Sequence, residues 1–364
     1  MITTILRSYL PDLEHHSLHP IGSGLIHRTW KVVVSGGKAT SGAGEGAMGS
    51  GQEAYILQQV NTDVFRDPGA IAANLEKIGD YLHAHHREYL FAAPLRTVGG
   101  ALFYRDPEGG CYRLFPFIPN SRTFDVVATP GQAYEAARQF ALFTRKLSGF
   151  DTKELQYALP DFHNLTLRYR QFSQAVREGN PLRVRQAQGL IAFLEGQRGL
   201  VGVFEALQRN PAFSLRVTHH DTKISNVLFD GSDKGLCVID LDTVMPGYFI
   251  SDTGDMIRTY VALAGEEETD PDKIVVREDF FQAIAEGYLG VMGDVLSAAE
   301  KEHFFYSGLF LVYMQSLRFL TDHLNDDIYY GARYEGHNFN RANNQAVLLQ
   351  RLQEKEAALK KLVP

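Results

Sequence analysis

The chain has 364 residues, 45% of them hydrophobic and 22% charged, which is ordinary for a globular protein and excludes disorder over its whole length. With 36 Lys and Arg against 43 Asp and Glu the formal net charge is −7, so no clustered basic surface for nucleic acid is expected. Only two cysteines occur, Cys111 and Cys237, far apart and in largely uncharged surroundings. They exclude a disulfide framework and a Cys-based zinc site, and they suit a reducing compartment.

The length suggests two domains, or one domain of two lobes. Residues 1–10 lack the long apolar run of a signal peptide, and Asp12 and Glu14 follow at once. The most apolar uncharged segment, 304–317, has 14 residues, too few to cross a bilayer, and predicts a buried helix. A soluble, cytoplasmic monomer without membrane or nucleic-acid partners is therefore expected.

Strands are predicted over 21–34 and 53–60, where the runs 29–34 (TWKVVV) and 55–60 (YILQQV) are rich in β-branched and aromatic residues. Between them, 35–51 carries seven glycines among small polar residues and predicts a long flexible hairpin connection. Residues 67–86 predict a helix, with Ile71, Leu75, Ile78 and Leu82 at helical spacing. Strands near 101–105 and 112–117 follow, joined by a turn rich in Asp, Pro and Gly. Pro116 and Pro119 flank Phe117 and Ile118, a stiff stretch suited to joining two lobes.

Beyond Asn120 the pattern turns helical: 133–147, 165–178, 182–194, 279–289, 298–320 and a charged tail over 343–362. A hairpin, 227–230 and 236–239, interrupts it. The expected organisation is α+β. A small antiparallel-sheet lobe spans 1–119 and carries the insert 35–51; a larger, mainly helical lobe spans 120–364.

The residues bracketing the hairpin carry chemistry. His219-His220-Asp221-Thr222-Lys223-Ile224-Ser225-Asn226 has the form H-x-D-x-x-x-x-N, and Ile239-Asp240-Leu241-Asp242 follows the second strand. Kinases use this layout: one carboxylate accepts the proton of the attacking hydroxyl, while an amide oxygen and a second carboxylate bind the Mg²⁺ that neutralises the polyphosphate. The plain alternative is a capped loop with turn carboxylates. His219 is read as a hydrogen-bond donor to the loop backbone.

With HHDTKISN and IDLD the chain resembles the aminoglycoside phosphotransferase/choline kinase family, which has the bilobal protein-kinase-like fold. THHDTKISNVLFD, VIDLDTVMPG, SDTGDMIR, AYILQQVNTDVF, YRLFPFI and SLRFLTDHLNDDIYY resemble its N-acetylhexosamine 1-kinases. The resemblance implies ATP and Mg²⁺, with Asp221 as catalytic base and Asn226 and Asp240 as metal ligands. Asp242 supports the metal through water or caps the next turn. Asp252 and Asp255 hold the catalytic loop by hydrogen bonds.

Gly22, Ser23 and Gly24 would cover the ATP phosphates, and main-chain groups around Phe115 and Phe117 would meet adenine, unless these rings are plain core. Gln58 stands where kinases of this fold place a lysine. On the acceptor side the resemblance implies sugar contacts for Arg318 and Tyr329, although Arg318 would also reach Asp322 one helical turn on. Asn338, Arg341 and Gln345 are pocket or scaffold groups. The implied reaction is phosphorylation of the anomeric hydroxyl of GlcNAc or GalNAc. A kinase of another small alcohol (an unacetylated hexose, choline or an amino alcohol), an inactive kinase-like binding protein and a metal-dependent hydrolase are the alternatives.

Overall fold

The computed structural model describes residues 1–21, 26–35, 47–48 and 52–364. Two compact units emerge. The first comprises Met1–Arg122, Lys146–Pro160 and Leu228–Pro246; the second comprises Thr123–Arg145, Asp161–Val227 and Gly247–Pro364.

The first unit is built on an antiparallel sheet of β1 (His15–Pro20), β2 (Arg28–Ser35), β3 (Ala47–Met48), β4 (Gln52–Val60), β5 (Tyr104–Arg105) and β6 (Cys111–Pro116). The strand order is β1-β2-β4-β6-β5, with β3 pairing with β4. Tyr55 and Leu57 alternate inward on β4 and pack with Val32, Val34, Tyr112 and Leu114. The short helix Ile2–Arg7 and the turn after it close this core with Ile5, Leu6, Tyr9 and Leu10. Tyr9 is buried without an orphaned hydroxyl: its Oη donates to the Tyr112 carbonyl and accepts from the Tyr104 N–H.

Neither the first helix nor β1 is legible beforehand. His15–Pro20 has no β-branched or aromatic residue and becomes a strand because it pairs with all of β2 from Trp30 to Ser35. The glycine-rich connection falls outside the described residues except for Ser35 and the β3 pair. The helix expected over 67–86 occupies Pro68–His85, started by Asp67, whose side chain accepts the Ala70 N–H, and by proline at its first turn.

The hairpin expected inside the helical lobe belongs with the first unit. An isolated bridge joins Arg122 to Phe229. Buried Asn74 then binds the Val244 carbonyl and exchanges two hydrogen bonds with the backbone of Gln156. Those polar ties are local to a tertiary fold and have no sequence period. Cys111 and Cys237 are both buried free thiols, pushed by burial up to about 11 and about 12, which makes them unreactive near neutrality.

The second unit is helical. The apolar stretch forms Phe304–Leu324, preceded by a short helix, Ala298–Glu302, that starts with a Ser297/Glu300 capping box. The two are separated at His303, so the helix expected over 298–320 is broken there. The tail forms His337–Glu354 and Glu356–Lys360. No described helix is long and apolar enough to cross a membrane.

Phe249–Tyr260 is a further helix that was not expected, although Phe249, Ile250, Met256, Ile257 and Tyr260 recur at helical spacing; Ser251, Asp252, Thr253 and Asp255 are buried along with them. It crosses Phe304–Leu324 closely at Gly254, where a Cβ would collide with the Ser307 carbonyl. Gly254→Ala should therefore cost about 1–3 kcal/mol through overpacking, read as a lower urea midpoint; an unchanged midpoint would show that the contact can open freely.

Candidate active site

Within the second unit, the strand β7 (Arg216–Thr218) runs straight into His219, His220 and Asp221. The helix Phe249–Tyr260 braces this loop from its buried polar face. Asp252 accepts the backbone N–H groups of His219 and His220 at 3.0 and 2.7 Å, and Asp255 accepts that of Thr222 at 2.8 Å. Thr222 Oγ1 donates to the Asp252 carbonyl, and Tyr260 Oη donates to that of Thr222 at 2.5 Å. Burial pushes the Asp252 carboxyl up to about 6, although His219 and the two N–H donors pull the other way. Arg258 neutralises Asp255 at 2.9 Å and reaches Glu266 at 3.1 Å. The loop-bracing role expected for both aspartates is what these bonds describe.

The braced loop holds His220 at φ +67°, a left-handed conformation unusual for a residue with a Cβ. His219 lies edge-on to Phe140 at 5.0 Å, and its Nδ1 accepts the Asp221 N–H at 3.4 Å. Asn226 Nδ2 donates to the Asp221 carbonyl at 2.9 Å and to its carboxylate at 3.2 Å. A carbonyl can only accept, so the Asn226 amide is oriented with Oδ1 left over. Among the described residues nothing donates to that oxygen.

Lys223, not singled out from the sequence, places Nζ 3.2 Å from Asp221 Oδ1. Burial works against its charge, but Asp221 and Asp255 outweigh this and raise its pKa. Its signal was spacing alone, two residues past the candidate base.

Near the same loop lies an arginine-aromatic cluster. Phe162 stacks on His163 at 4.5 Å, and His163 meets His220 edge-on at 5.3 Å. The Arg318 guanidinium lies 5.6 Å from the Phe162 ring and 5.4 Å from that of Tyr330, and donates to Gln315. Burial, then His220, Arg318, Arg258 and Arg168, hold the His163 pKa well below its ordinary value.

The alternative pairing of Arg318 with Asp322 is absent among the described residues. Asp322 instead accepts the backbone N–H groups of Tyr329 and Tyr330 at 2.7 and 2.9 Å, together with Asn338 Nδ2. Tyr329 is 73% exposed, and Tyr330 supplies the ring beside Arg318. Asn338 ties Asp322, Asp327 and the Gly331 carbonyl together, while Arg341 lies over Phe319 and pairs with Glu266. Both side chains make contacts within the fold, as a scaffold group would.

Within the first unit, β8 (Val227–Phe229) and β9 (Gly235–Val238) form the hairpin that leads to Asp240, itself left-handed at φ +58°. His27, Asp240 and Asp242 offer ligand atoms within 4.8 Å of one another. They do not form one metal shell. His27 Nδ1 accepts the Asn61 N–H, so the ring proton sits on Nε2 and is donated to Asp242 at 2.8 Å, leaving no lone pair for an ion.

Asp242, expected beside the metal or as a turn cap, is buried and engaged elsewhere. Arg113 grips both of its oxygens, at 2.6 and 2.8 Å. Burial would raise its pKa; Arg113 and His27 overcome this and hold the carboxyl well below the usual range. Asp240 is exposed. In the second unit the Asn226 amide oxygen, and in the first the Asp240 carboxylate, are each oxygen groups of the kind Mg²⁺ takes.

Gln58 accepts from Arg113 Nη2 at 2.5 Å. Phe115 packs beside the same guanidinium at 5.4 Å, and Lys31 Nζ lies 3.9 Å over Phe117. The Phe117 N–H donates to Ala54. Gly22, Ser23 and Gly24 lie outside the described residues.

An antiparallel-sheet unit, a helical unit and an H-x-D-x-x-x-x-N loop followed by I-D-x-D define the protein-kinase-like fold of small-molecule phosphotransferases. Residues 17–289 match the phosphotransferase enzyme family, and the chain belongs to it. Solved structures share the fold at low identity. A microcompartment-associated aminopropanol kinase matches with TM-score 0.62 at 15% identity, over 99% of this chain and 98% of that one. A spectinomycin phosphotransferase in complex with ADP and spectinomycin gives 0.56 at 14%, over 97% and 98%. The choline kinase of Cryptosporidium parvum Iowa II gives 0.54 at 15%, over 100% and 97%.

Proposed function

We propose that the protein transfers the γ-phosphoryl group of ATP to the anomeric 1-hydroxyl of an N-acetylhexosamine, GlcNAc or GalNAc, releasing ADP and the sugar 1-phosphate. The observation that carries the acceptor class is the Arg318 cluster. Arg318 lies against Phe162, Phe162 against His163, and His163 against His220, the neighbour of Asp221. Among the described residues Arg318 holds no carboxylate, because the nearby Asp322 and Asp327 are already taken by backbone N–H groups, Asn338 and Arg183. Such surroundings offer a cationic amine little. They suit hydroxyls, an N-acetyl carbonyl and the apolar face of a sugar ring.

Asp221 accepts the hydroxyl proton, and a hemiacetal hydroxyl, more acidic than an alcohol, asks little of it. Lys223 and Asn226 keep the Asp221 side chain in one orientation. Asn226 and Asp240 are the oxygen donors for Mg²⁺, which when bound neutralises charge on the transferring phosphate. ADP in the spectinomycin phosphotransferase of like fold supports ATP as donor.

The test is ³¹P NMR of products from ATP, Mg²⁺ and a panel of GlcNAc, GalNAc, glucose, galactose, choline and aminopropanol. An anomeric phosphate on the acetylated sugars is expected; phosphorylation of an amine alone would sink the assignment. Arg318→Ala should lower kcat/KM for the sugar roughly 10- to 100-fold by removing charged hydrogen bonds, with KM for ATP unchanged. An equal loss for ATP would place Arg318 elsewhere in the reaction.

A further inference from the structure

Gln58 stands on the strand where a kinase lysine is expected, and the cation lies one strand away. Gln58 on β4 is the register partner of Arg113 on β6. Arg113 is 2% exposed, bidentate to Asp242, and spends its remaining Nη2 contact on Gln58 Oε1 at 2.5 Å. Its Nε has no partner among the described residues. A guanidinium can only donate, so the contact settles which end of the Gln58 amide is oxygen. The amide nitrogen is thereby turned away from Arg113, and among the described residues it meets no acceptor. A cation on the carbonyl end also polarises the amide and strengthens its N–H donors.

We propose that Arg113 is a positioning residue that locks and polarises the Gln58 amide so that its nitrogen donates to a phosphate oxygen of the nucleotide. A neutral donor backed by a buried guanidinium then takes the place of the strand lysine. The same guanidinium holds Asp242, two residues beyond Asp240, so one side chain ties the phosphate donor to the acidic turn. This rests on the phosphoryl-transfer reading but not on which acceptor is used.

The experiment is calorimetric titration of the full chain with ADP, with and without Mg²⁺, beside thermal unfolding. Gln58→Glu keeps, and by charge improves, the acceptor for Arg113, so the unfolding temperature should hold or rise. It removes the N–H donors of this side chain and adds negative charge, so ADP affinity should fall at least about tenfold in both conditions. A purely structural amide predicts wild-type affinity, and that result overturns the proposal.

Should that variant not fold, Gln58→Met decides on the same criterion. Arg113→Lys keeps the charge but cannot hold Asp242 and Gln58 at once, and should also weaken ADP binding. It should add little in the Gln58→Met background, because it acts through Gln58. Full additivity would overturn the positioning role. Wild-type protein that does not bind ADP at all would overturn the phosphoryl-transfer reading itself, an outcome distinct from an insensitive Gln58→Glu.

Discussion

Asp221→Asn is expected to lower kcat about 10²- to 10⁴-fold while leaving ADP affinity and the urea midpoint near wild type. The amide has nearly the carboxylate's shape and still offers an oxygen to Asn226 Nδ2 or Lys223 Nζ, which sit 3.2 Å from the native side chain. The loop is also held independently of Asp221, through Asp252 and Asp255 on the backbone amides of His219, His220 and Thr222. Folding should therefore survive, and the loss should fall on proton transfer and on alignment of the acceptor. Because a hemiacetal needs less base assistance than an alcohol, the lower half of the range is expected for sugars. Single-turnover phosphoryl transfer at saturating ATP and acceptor is the cleanest readout. A rate within twofold of wild type would remove Asp221 from the catalytic role.

The elements that sequence made visible are those whose signal is local. The helix at Pro68–His85 shows its cap, its proline and its period, and the hairpin shows its turn residues. The loop residues Asp221 and Asn226 were legible because their chemistry fixes both residue type and spacing, and the structure does bring those two side chains into contact. What stayed hidden depends on partners distant in the chain. Strand His15–Pro20 is polar and takes its conformation from β2. Helix Phe249–Tyr260 has apolar residues at helical spacing, but nothing local says that its Asp252 and Asp255 are buried and brace the catalytic loop.

Arg113 illustrates the same limit at the site. Within CYRLFP it reads as one arginine in an apolar strand, and nothing local says that it will be buried. Its burial is tolerated because Asp242, 129 residues later, meets both ends of its fork. The spacing I-D-x-D marked Asp240 and Asp242 as a pair with related duties. Tertiary structure separates them: Asp240 is exposed, whereas Asp242 lies inside a basic cage. A register argument would have raised the question, since pairing β4 with β6 sets Arg113 opposite Gln58.

That cage leads to the largest expected effect on stability. Asp242→Ala strands a buried guanidinium, and removing one partner of such a pair costs about 3–5 kcal/mol. The desolvation of Arg113 is fully incurred, its orphaned Nε has no spare partner among the described residues, and His27 Nε2 loses its acceptor. Asp242→Asn should be only slightly milder, because its NH₂ end would face donors.

The effect carries a pH signature. The folded-state pKa of Asp242 lies below the unfolded value, so the ionised carboxylate's contribution is complete above about pH 4 and is surrendered only as pH falls through the depressed folded value. Urea unfolding should accordingly show the full gap between wild type and Asp242→Asn at pH 7 and a narrowing gap under increasing acidity. A variant as stable as wild type at pH 7, or a gap that widens with acid, would mean that the Arg113–Asp242–His27 cluster does not hold the sheet to the acidic turn.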